Sequence, residues 1–319
     1  MNASRKLGPW NVTPVGLGCM PMSGMPHARL HMLENRAGAI EVIHKAMDAG
    51  VQLLDTADIY AAYWNQFGHN ERLVGEAVRS WNGTPEQKSK IIIATKGGIT
   101  RGPGESWGRA ATKDYLLRAA EASALRLGVE QIQLWQHHRL DPTISFEDQF
   151  ENVLVLKERG LVQHIGVSNY NAEQLRRAVA IAGGGKDGGV VSIQNERSPK
   201  YRKDEDVLEV CKEHSIAYLP WSPLGGVSTA DKLGDGAYQV FTRLSKAKGV
   251  SPYALTIAWH LKTSENIIPI PGATKVSSII DCLEGLKVNI SDDEMNEINS
   301  SLPDFVGVPA DLFAQPAYR

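Results

Sequence analysis

Eight short apolar runs, each followed by a longer stretch of helical period, constrain this chain more than any other feature. The strand-like runs lie at 15–18, 51–54, 91–94, 132–135, 164–167, 190–193, 216–219 and 267–270. The helical period predicts helices over 37–49, 71–80, 113–127, 146–159, 172–181, 205–213, 252–262 and 276–285. Glycines soon after the last periodic residue (Gly50, Gly128, Gly160, Gly183) supply stop signals, and Asn70 and Ser251 read as N-terminal caps. Each parallel strand connection needs a crossover, so strict alternation implies a parallel sheet. Eight such units close into a (β/α)8 TIM barrel. Periodicity alone leaves the doubly wound open sheet as a competitor.

Length agrees with the barrel. A prior of roughly 100–200 residues per domain would split 319 residues in two, but α/β barrels spend about 250 or more on one. We therefore expect a single domain over 1–319. Four segments, 20–36, 60–70, 97–112 and 225–236, are too long and irregular to be mere connectors. All follow a strand and precede a helix, so in a barrel they crowd the C-terminal mouth. Residues 291–301 predict an extra C-terminal helix, followed by an irregular tail over 303–319.

Charge and cysteine usage exclude several classes. With 34 basic against 36 acidic residues and no Lys/Arg run, the chain lacks the electrostatic footprint of nucleic-acid binding. No apolar stretch approaches the roughly 18 residues of a membrane span, and the start has no signal-type apolar region. Cys19, Cys211 and Cys282 are too widely spaced for a redox or metal pair and too few for a disulfide framework. A soluble, cytoplasmic protein is expected, with a small molecule as its partner and its oligomeric state left open.

In a barrel, reactive side chains belong at strand exits. The second strand runs into Asp55-Thr56-Ala57-Asp58-Ile59-Tyr60, the third into Thr95-Lys96-Gly97 and the fourth into Gln136-His137-His138. Singly, an aspartate there reads as a turn residue, a tyrosine as packing and a lysine as a solvated cation. Their arrangement on neighbouring strands points to acid catalysis by a phenol. Its ordinary pKa of about 10 is too high for efficient proton transfer near neutrality. A lysine ammonium beside it lowers that value, and a carboxylate holds the lysine. A nearby imidazole completes a polar hole for a developing alkoxide.

These motifs resemble those of the aldo-keto reductases. The likeness extends through Gly166-Val167-Ser168-Asn169, Gln194-Asn195-Glu196, Trp221-Ser222-Pro223-Leu224-Gly225 and Ile270-Pro271-Gly272-Ala273. It implies a TIM barrel binding NADP(H), or less often NAD(H), that transfers hydride between nicotinamide and the carbonyl or alcohol of an aldehyde, ketone or sugar. By motif position, Tyr60 is the proton donor, Lys96 lowers its pKa, Asp55 holds Lys96, and His138 rather than His137 faces the substrate. Ser168, Asn169 and Gln194 match the residues that bind the nicotinamide carboxamide, and Trp221 matches the stacking aromatic. Ser222, Leu224 and Gly225 begin the pyrophosphate loop, with Gly272 on the last strand. Where many relatives carry an arginine and an asparagine on the final barrel helix, this chain has Ser278 and Cys282, which leaves Lys275 as the expected 2'-phosphate partner.

Two other readings compete. One is a cofactor-binding regulatory subunit with little turnover; the other is a metal-dependent barrel hydrolase. Adjacent His137 and His138 cannot both face inward, which argues against a metal. Met20, Met22, Met25, Tyr63, Trp64, Phe67 and Trp107 are candidates for a pocket wall. Arg29, Arg36, Arg101, Arg109 and Arg197 are scattered candidates for an anionic substrate, with Arg197 expected at the rim of the site.

Overall fold

The computed structural model describes residues 4–24, 32, 34–226 and 238–303. Seven barrel strands run parallel and pair in chain order: β1 (Leu17–Gly18), β2 (Leu53–Asp55), β3 (Ile92–Gly97), β4 (Ile132–His137), β5 (Val162–Ser168), β6 (Val190–Gln194) and β7 (Ala217–Tyr218). The eighth stave, residues 267–272, closes the ring through parallel bridges on both sides, Tyr218 with Ile267 and Gly18 with Gly272. Ile268 N–H donates to Tyr218 O at 2.8 Å, while Gly16 and Gly18 N–H donate to Pro269 and Pro271 O at 3.0 Å. Pro269 and Pro271 have no N–H to return toward β1, so that side of the ladder runs one way only. This is why the stave is not a regular strand. Gly18 is required at the seam, because a Cβ there would sit 2.8 Å from Ile270 O.

Among the described residues, eight helices match the periodic segments within a few residues: α1 (Arg36–Asp48), α2 (His69–Ser80), α3 (Lys113–Leu127), α4 (Phe146–Glu158), α5 (Ala172–Ala182), α6 (Glu205–His214), and, beyond α7 (Gln239–Lys248), α8 (Pro252–Thr263) and α9 (Val276–Glu284). The predicted extra helix is α10 (Asp292–Ser301), opened by a capping box between Ser291 and Glu294. Helix α7 was not expected; it packs Phe241 edge-on to Trp259 of α8, over the barrel's outer face. Ser251 caps α8 as predicted, accepting from Ala254 N–H at 2.9 Å.

Asn70 is not a cap. Helix α2 starts earlier, after Gly68 in the left-handed region at φ 77°, and Asn70 lies inside it, fully buried. Its amide donates to Cys19 O and Ser23 Oγ at 2.8 Å and accepts from Thr56 Oγ1 at 2.7 Å, tying the exits of β1 and β2 together.

Strand parity sorts the interior from the helix layer. Leu53, Ile92, Ala94, Leu134, Val191, Ala217, Leu219, Ile268 and Ile270 fill the barrel. Below them an antiparallel hairpin, Arg5–Leu7 with Trp10–Val12, plugs the N-terminal end with Leu7 and Val12. Three-residue strands carry too little periodicity to be seen in sequence. A second unexpected hairpin, Ile99–Gly102 with Ser106–Arg109, occupies the segment predicted as an irregular mouth loop. Residues 25–31 and 33 of the first long loop, including Met25 and Arg29, residues 227–236 of the fourth, and the tail from 304 lie outside the described residues.

Candidate active site

Parity that sends Leu53, Ala94 and Leu134 into the barrel also sends Asp55, Lys96 and Gln136 inward one layer higher, at the C-terminal ends of β2, β3 and β4. Tyr60 reaches the same place from the turn after β2. The Lys96 ammonium is fully buried and uses its three donors on Asp55 Oδ2 at 2.8 Å, Thr56 O at 2.8 Å and Tyr60 Oη at 3.1 Å. Three donors and three acceptors leave Nζ no rotational freedom. Asp55 is satisfied from the other side: its Oδ1 accepts from Gln194 Nε2 at 2.7 Å and, weakly, from Gln136 Nε2 at 3.5 Å. Gln136 was missed in the sequence, although its position two residues before His138 gives it the same inward parity.

Burial works against the Lys96 ammonium, but Asp55 and Tyr60 outweigh it, and the net shift is upward. Lys96 stays charged throughout the neutral range. Tyr60 departs from expectation. Burial pushes its phenol up, Lys96 pulls it down, and burial wins, so the net shift is above 10 rather than below. The lysine moderates the acid instead of inverting its ordinary strength. Nearby Asp58 is raised well above the usual carboxylate range, by burial first and by Glu71 next.

The two histidines separate as predicted. His138 stands edge-on to Tyr60 with ring centroids 6.0 Å apart. Burial, then the charges of Lys96, Arg139 and Arg109, keep its imidazole neutral. His137 turns into the helix layer, where Nδ1 meets Tyr170 Oη at 2.8 Å and the ring stacks on Trp135. Burial lowers its pKa to about 4. Among the described residues, no three His, Cys, Asp or Glu side chains gather to hold a metal ion.

Ser168, Asn169, Gln194 and Trp221 form a second polar group beside the first. A register shift in β6 between Val190 and Ser192 turns Gln194 inward. Ser168 Oγ donates to Gln194 O at 2.9 Å, Asn169 Nδ2 donates to Ser168 Oγ at 2.7 Å, and Trp221 Nε1 donates to Asn169 Oδ1 at 3.2 Å. Asn169 at φ 61° and Ser222 at φ 50° are non-glycine residues held in the left-handed region, a local cost that concentrates at functional loops. A polar cleft of about 270 Å³ opens here, bounded by Arg139, Glu196, Tyr201, Lys203 and Trp221. Lys275 precedes α9 at its N-terminus, exposed, with Ser277 and Ser278 exposed on the first turn and no side chain capping it. Cys282, one turn on, faces the core.

Several expectations about the rim are corrected. Arg197 is buried, with Nη1 2.5 Å from Asp204 Oδ1, Nη2 3.0 Å from Glu205 Oε1 and the guanidinium over the Trp259 ring. It fastens the loop after β6 to α8 and is not at the mouth. Met22 is core, and Trp107 is covered by Arg101, whereas Tyr63 and Trp64 are 57% and 39% exposed. Arg36 is exposed and pairs with Glu76 of α2.

A closed parallel barrel whose C-terminal rim gathers a carboxylate, an ammonium and a phenol can hold and pass a single proton. The chain belongs to the Aldo/keto reductase family, whose profile matches residues 15–303. An uncharacterized oxidoreductase of Schizosaccharomyces pombe is 31% identical over 287 residues, which is 90% of this chain and 85% of that protein. An aldo/keto reductase from Klebsiella pneumoniae, solved in complex with NADP and acetate, is 22% identical with a TM-score of 0.75 over 95% of this chain and 96% of that one. A glycerol dehydrogenase from Gluconobacter oxydans is 21% identical with a TM-score of 0.76 over 97% of this chain and 98% of that one. The structural likeness is that of a shared (β/α)8 barrel. Among the described residues, no helix is long and apolar enough to cross a membrane.

Proposed function

We propose that this chain is an NAD(P)H-dependent reductase of aldehydes or ketones, with Tyr60 as general acid in reduction and general base in alcohol oxidation. The observation that carries this reading is the buried Lys96 ammonium shared between Asp55 Oδ2 at 2.8 Å and Tyr60 Oη at 3.1 Å. A bound nicotinamide would supply the hydride. Tyr60 Oη gives its proton to the carbonyl oxygen, and the phenolate left behind is stabilised by the Lys96 charge. Neutral His138 faces Tyr60 across the space a carbonyl oxygen would enter and donates a hydrogen bond to it. Asp55 keeps Lys96 charged and aimed.

The donor set fits a dinucleotide. Ser168, Asn169 and the Gln194 carboxamide present hydrogen-bonding groups on one side, and Trp221 offers a half-buried indole for stacking. Ser222, Leu224 and Gly225 continue as a turn, closed by Gly225 N–H donating to Ser222 O at 2.8 Å, in which Gly225 at φ 93° and Gly226 at φ 86° carry no side chain that would keep a pyrophosphate away; Gly272 lies on the eighth stave, bridged to Gly18. Lys275 and Ser278 at the open N-terminus of α9 would meet a 2'-phosphate, which favours NADP(H) over NAD(H). The NADP found in the Klebsiella relative supports the same choice. Exposed Tyr63 and Trp64 give the mouth an aromatic edge suited to substrates larger than simple aldehydes.

Tyr60→Phe tests the assignment. Carbonyl reduction should fall by about 10²–10⁴-fold, the range of a lost general acid, with coenzyme affinity unchanged. An unaltered kcat would remove Tyr60 from the chemistry. A parent protein that binds coenzyme but shows no turnover with a broad aldehyde panel would favour the regulatory-subunit reading instead.

A further inference from the structure

We infer that Arg101 is a positioning residue for Tyr60, and that the hairpin carrying it is a brace for the whole proton-donor turn. This rests on the proposed role of Tyr60. Tyr60 lies in a turn after β2, beyond the last residue of that strand. Its own backbone is held by Tyr60 N–H on Ala57 O at 3.3 Å and Asn70 N–H on Tyr60 O at 3.2 Å. The carbonyls on either side are taken up by one side chain. Arg101 Nη1 donates to Ile59 O at 3.2 Å and to Ala61 O at 2.6 Å, and Nη2 donates to Ala62 O at 3.1 Å. Nε donates to Glu105 Oε2 at 2.7 Å, so the fork is engaged along its whole edge.

The brace is stiff for three reasons. The Arg101 side chain is fully buried. Its guanidinium lies 4.9 Å from the Trp107 ring, and Trp107 sits opposite Arg101 in the hairpin register and packs in one cluster with Ile59, Tyr60 and Ile99. Glu105 fixes the plane of the fork through Nε and uses its other oxygen, Oε1, to accept Trp64 N–H at 2.9 Å. One ion pair therefore grips the chain at Ile59, Ala61, Ala62 and Trp64, which brackets Tyr60 on one side and reaches the exposed aromatic rim on the other. A lysine could satisfy at most part of this set, since an ammonium lacks the planar fork.

The consequence is a specific division of labour. Lys96 sets the charge beside the phenol, and Arg101 sets where the phenol is. Loss of the fork lets the turn relax outward and lengthens the 3.1 Å contact between Tyr60 Oη and Lys96 Nζ. Misplacement of a reacting group by about 1 Å can cost about a hundredfold in rate. Cofactor contacts lie on β5, β6 and the last two staves, away from the hairpin, and should be untouched.

The test compares Arg101→Met, Arg101→Lys and Tyr60→Phe at a temperature well below each variant's Tm, with NADPH and an aldehyde that the parent turns over. Arg101→Met is expected to lower kcat by about 10- to 100-fold at saturating substrate, with the coenzyme Kd within about twofold of the parent. Arg101→Lys should fall between the two, and millimolar guanidinium should restore part of the Arg101→Met rate. A purely structural role would give none of that rescue. A folded Arg101→Met with parental kcat, or with kcat and coenzyme affinity lost together, overturns the proposal. If Tyr60→Phe also retains parental kcat, the functional reading itself has failed; if only Tyr60→Phe is inactive, the brace alone has failed. Should Arg101→Met not fold, Glu105→Gln carries the test: it frees the Arg101 plane and is expected to lower kcat about threefold or more with guanidinium-independent stability, while parental kcat refutes the brace.

Discussion

Replacing Asp55 by asparagine exchanges one oxygen for an amide nitrogen and discriminates sharply between a structural and a catalytic reading of the cluster. Asp55 Oδ2 lies 2.8 Å from Lys96 Nζ, and at an effective dielectric constant near 20 that contact carries about 6 kcal/mol of charge–charge attraction. Its loss is bounded by a second route. Lys96 can discard its proton, which costs about 5 kcal/mol at pH 7 from an ordinary pKa of 10.5. The variant takes the cheaper route, so the ceiling on lost stability is about 5 kcal/mol, in line with the roughly 3–5 kcal/mol seen when one partner of a buried pair is removed. The new amide adds its own conflict. With its oxygen turned toward Gln194 Nε2, its NH2 would face Lys96; turned the other way, its NH2 would face the NH2 of Gln194. Urea unfolding at pH 7 should show the destabilisation. Steady-state kinetics should show alcohol oxidation lost by about 10²–10⁴-fold, because a neutral lysine no longer favours the phenolate. An Asp55→Asn variant with parental stability and parental kcat would refute the claim that the charge on Lys96 depends on Asp55.

Three further outcomes follow from other parts of the molecule. Lys275→Ala should weaken NADPH binding about tenfold, the loss of one charge-assisted hydrogen bond, and leave NADH binding unchanged; tryptophan fluorescence quenching reads both, and equal losses would refute a 2'-phosphate role. Burial raises Glu196 from 4.5 to about 7, so the unfolded chain ionises first and stability declines as pH rises through that window; Glu196→Gln should flatten the decline in pH-dependent unfolding curves, and an unchanged slope would refute the assignment. Gly18→Ala, which places Cβ 2.8 Å from Ile270 O at the barrel seam, should cost about 1–3 kcal/mol in urea unfolding, and a parental midpoint would show that the seam yields.

The parts of this molecule that were legible in sequence are those whose information is local. A strand buried on both faces must be a short apolar run, and a helix covering it must repeat every three to four residues. Both signals survive without knowledge of the third dimension, so the alternation pointed to a parallel α/β fold, with eight units favouring the barrel over the doubly wound open sheet. Parity also separated His138 from His137. The eighth stave kept its apolar residues but lost regularity, because the Pro269 and Pro271 that made its motif recognisable also removed its donors. Asn70 misled for the opposite reason: its sequence position suits a cap, yet its amide is consumed by Cys19, Ser23 and Thr56, contacts that exist only once β1 and β2 are paired.

Arginines show most clearly what local reasoning lacks. In sequence, Arg36, Arg101 and Arg197 are equivalent cations in polar segments. In the fold, Arg36 lies on the surface, Arg197 is locked against Asp204 and Glu205, and Arg101 grips three carbonyls of the turn that carries Tyr60. What separates them is the number of backbone carbonyls left unsatisfied nearby, and only topology decides that. A turn bearing a catalytic side chain at a barrel mouth cannot pair its carbonyls with a neighbouring strand, since the strand has already ended. Those acceptors must be met by water or by a side chain. Water would leave the turn free to move, and a guanidinium with five fixed donors does not. On the proposed role of Tyr60, the demand that its phenol be held about one hydrogen bond from an ammonium in a dry site is therefore the same demand that calls for an arginine behind it.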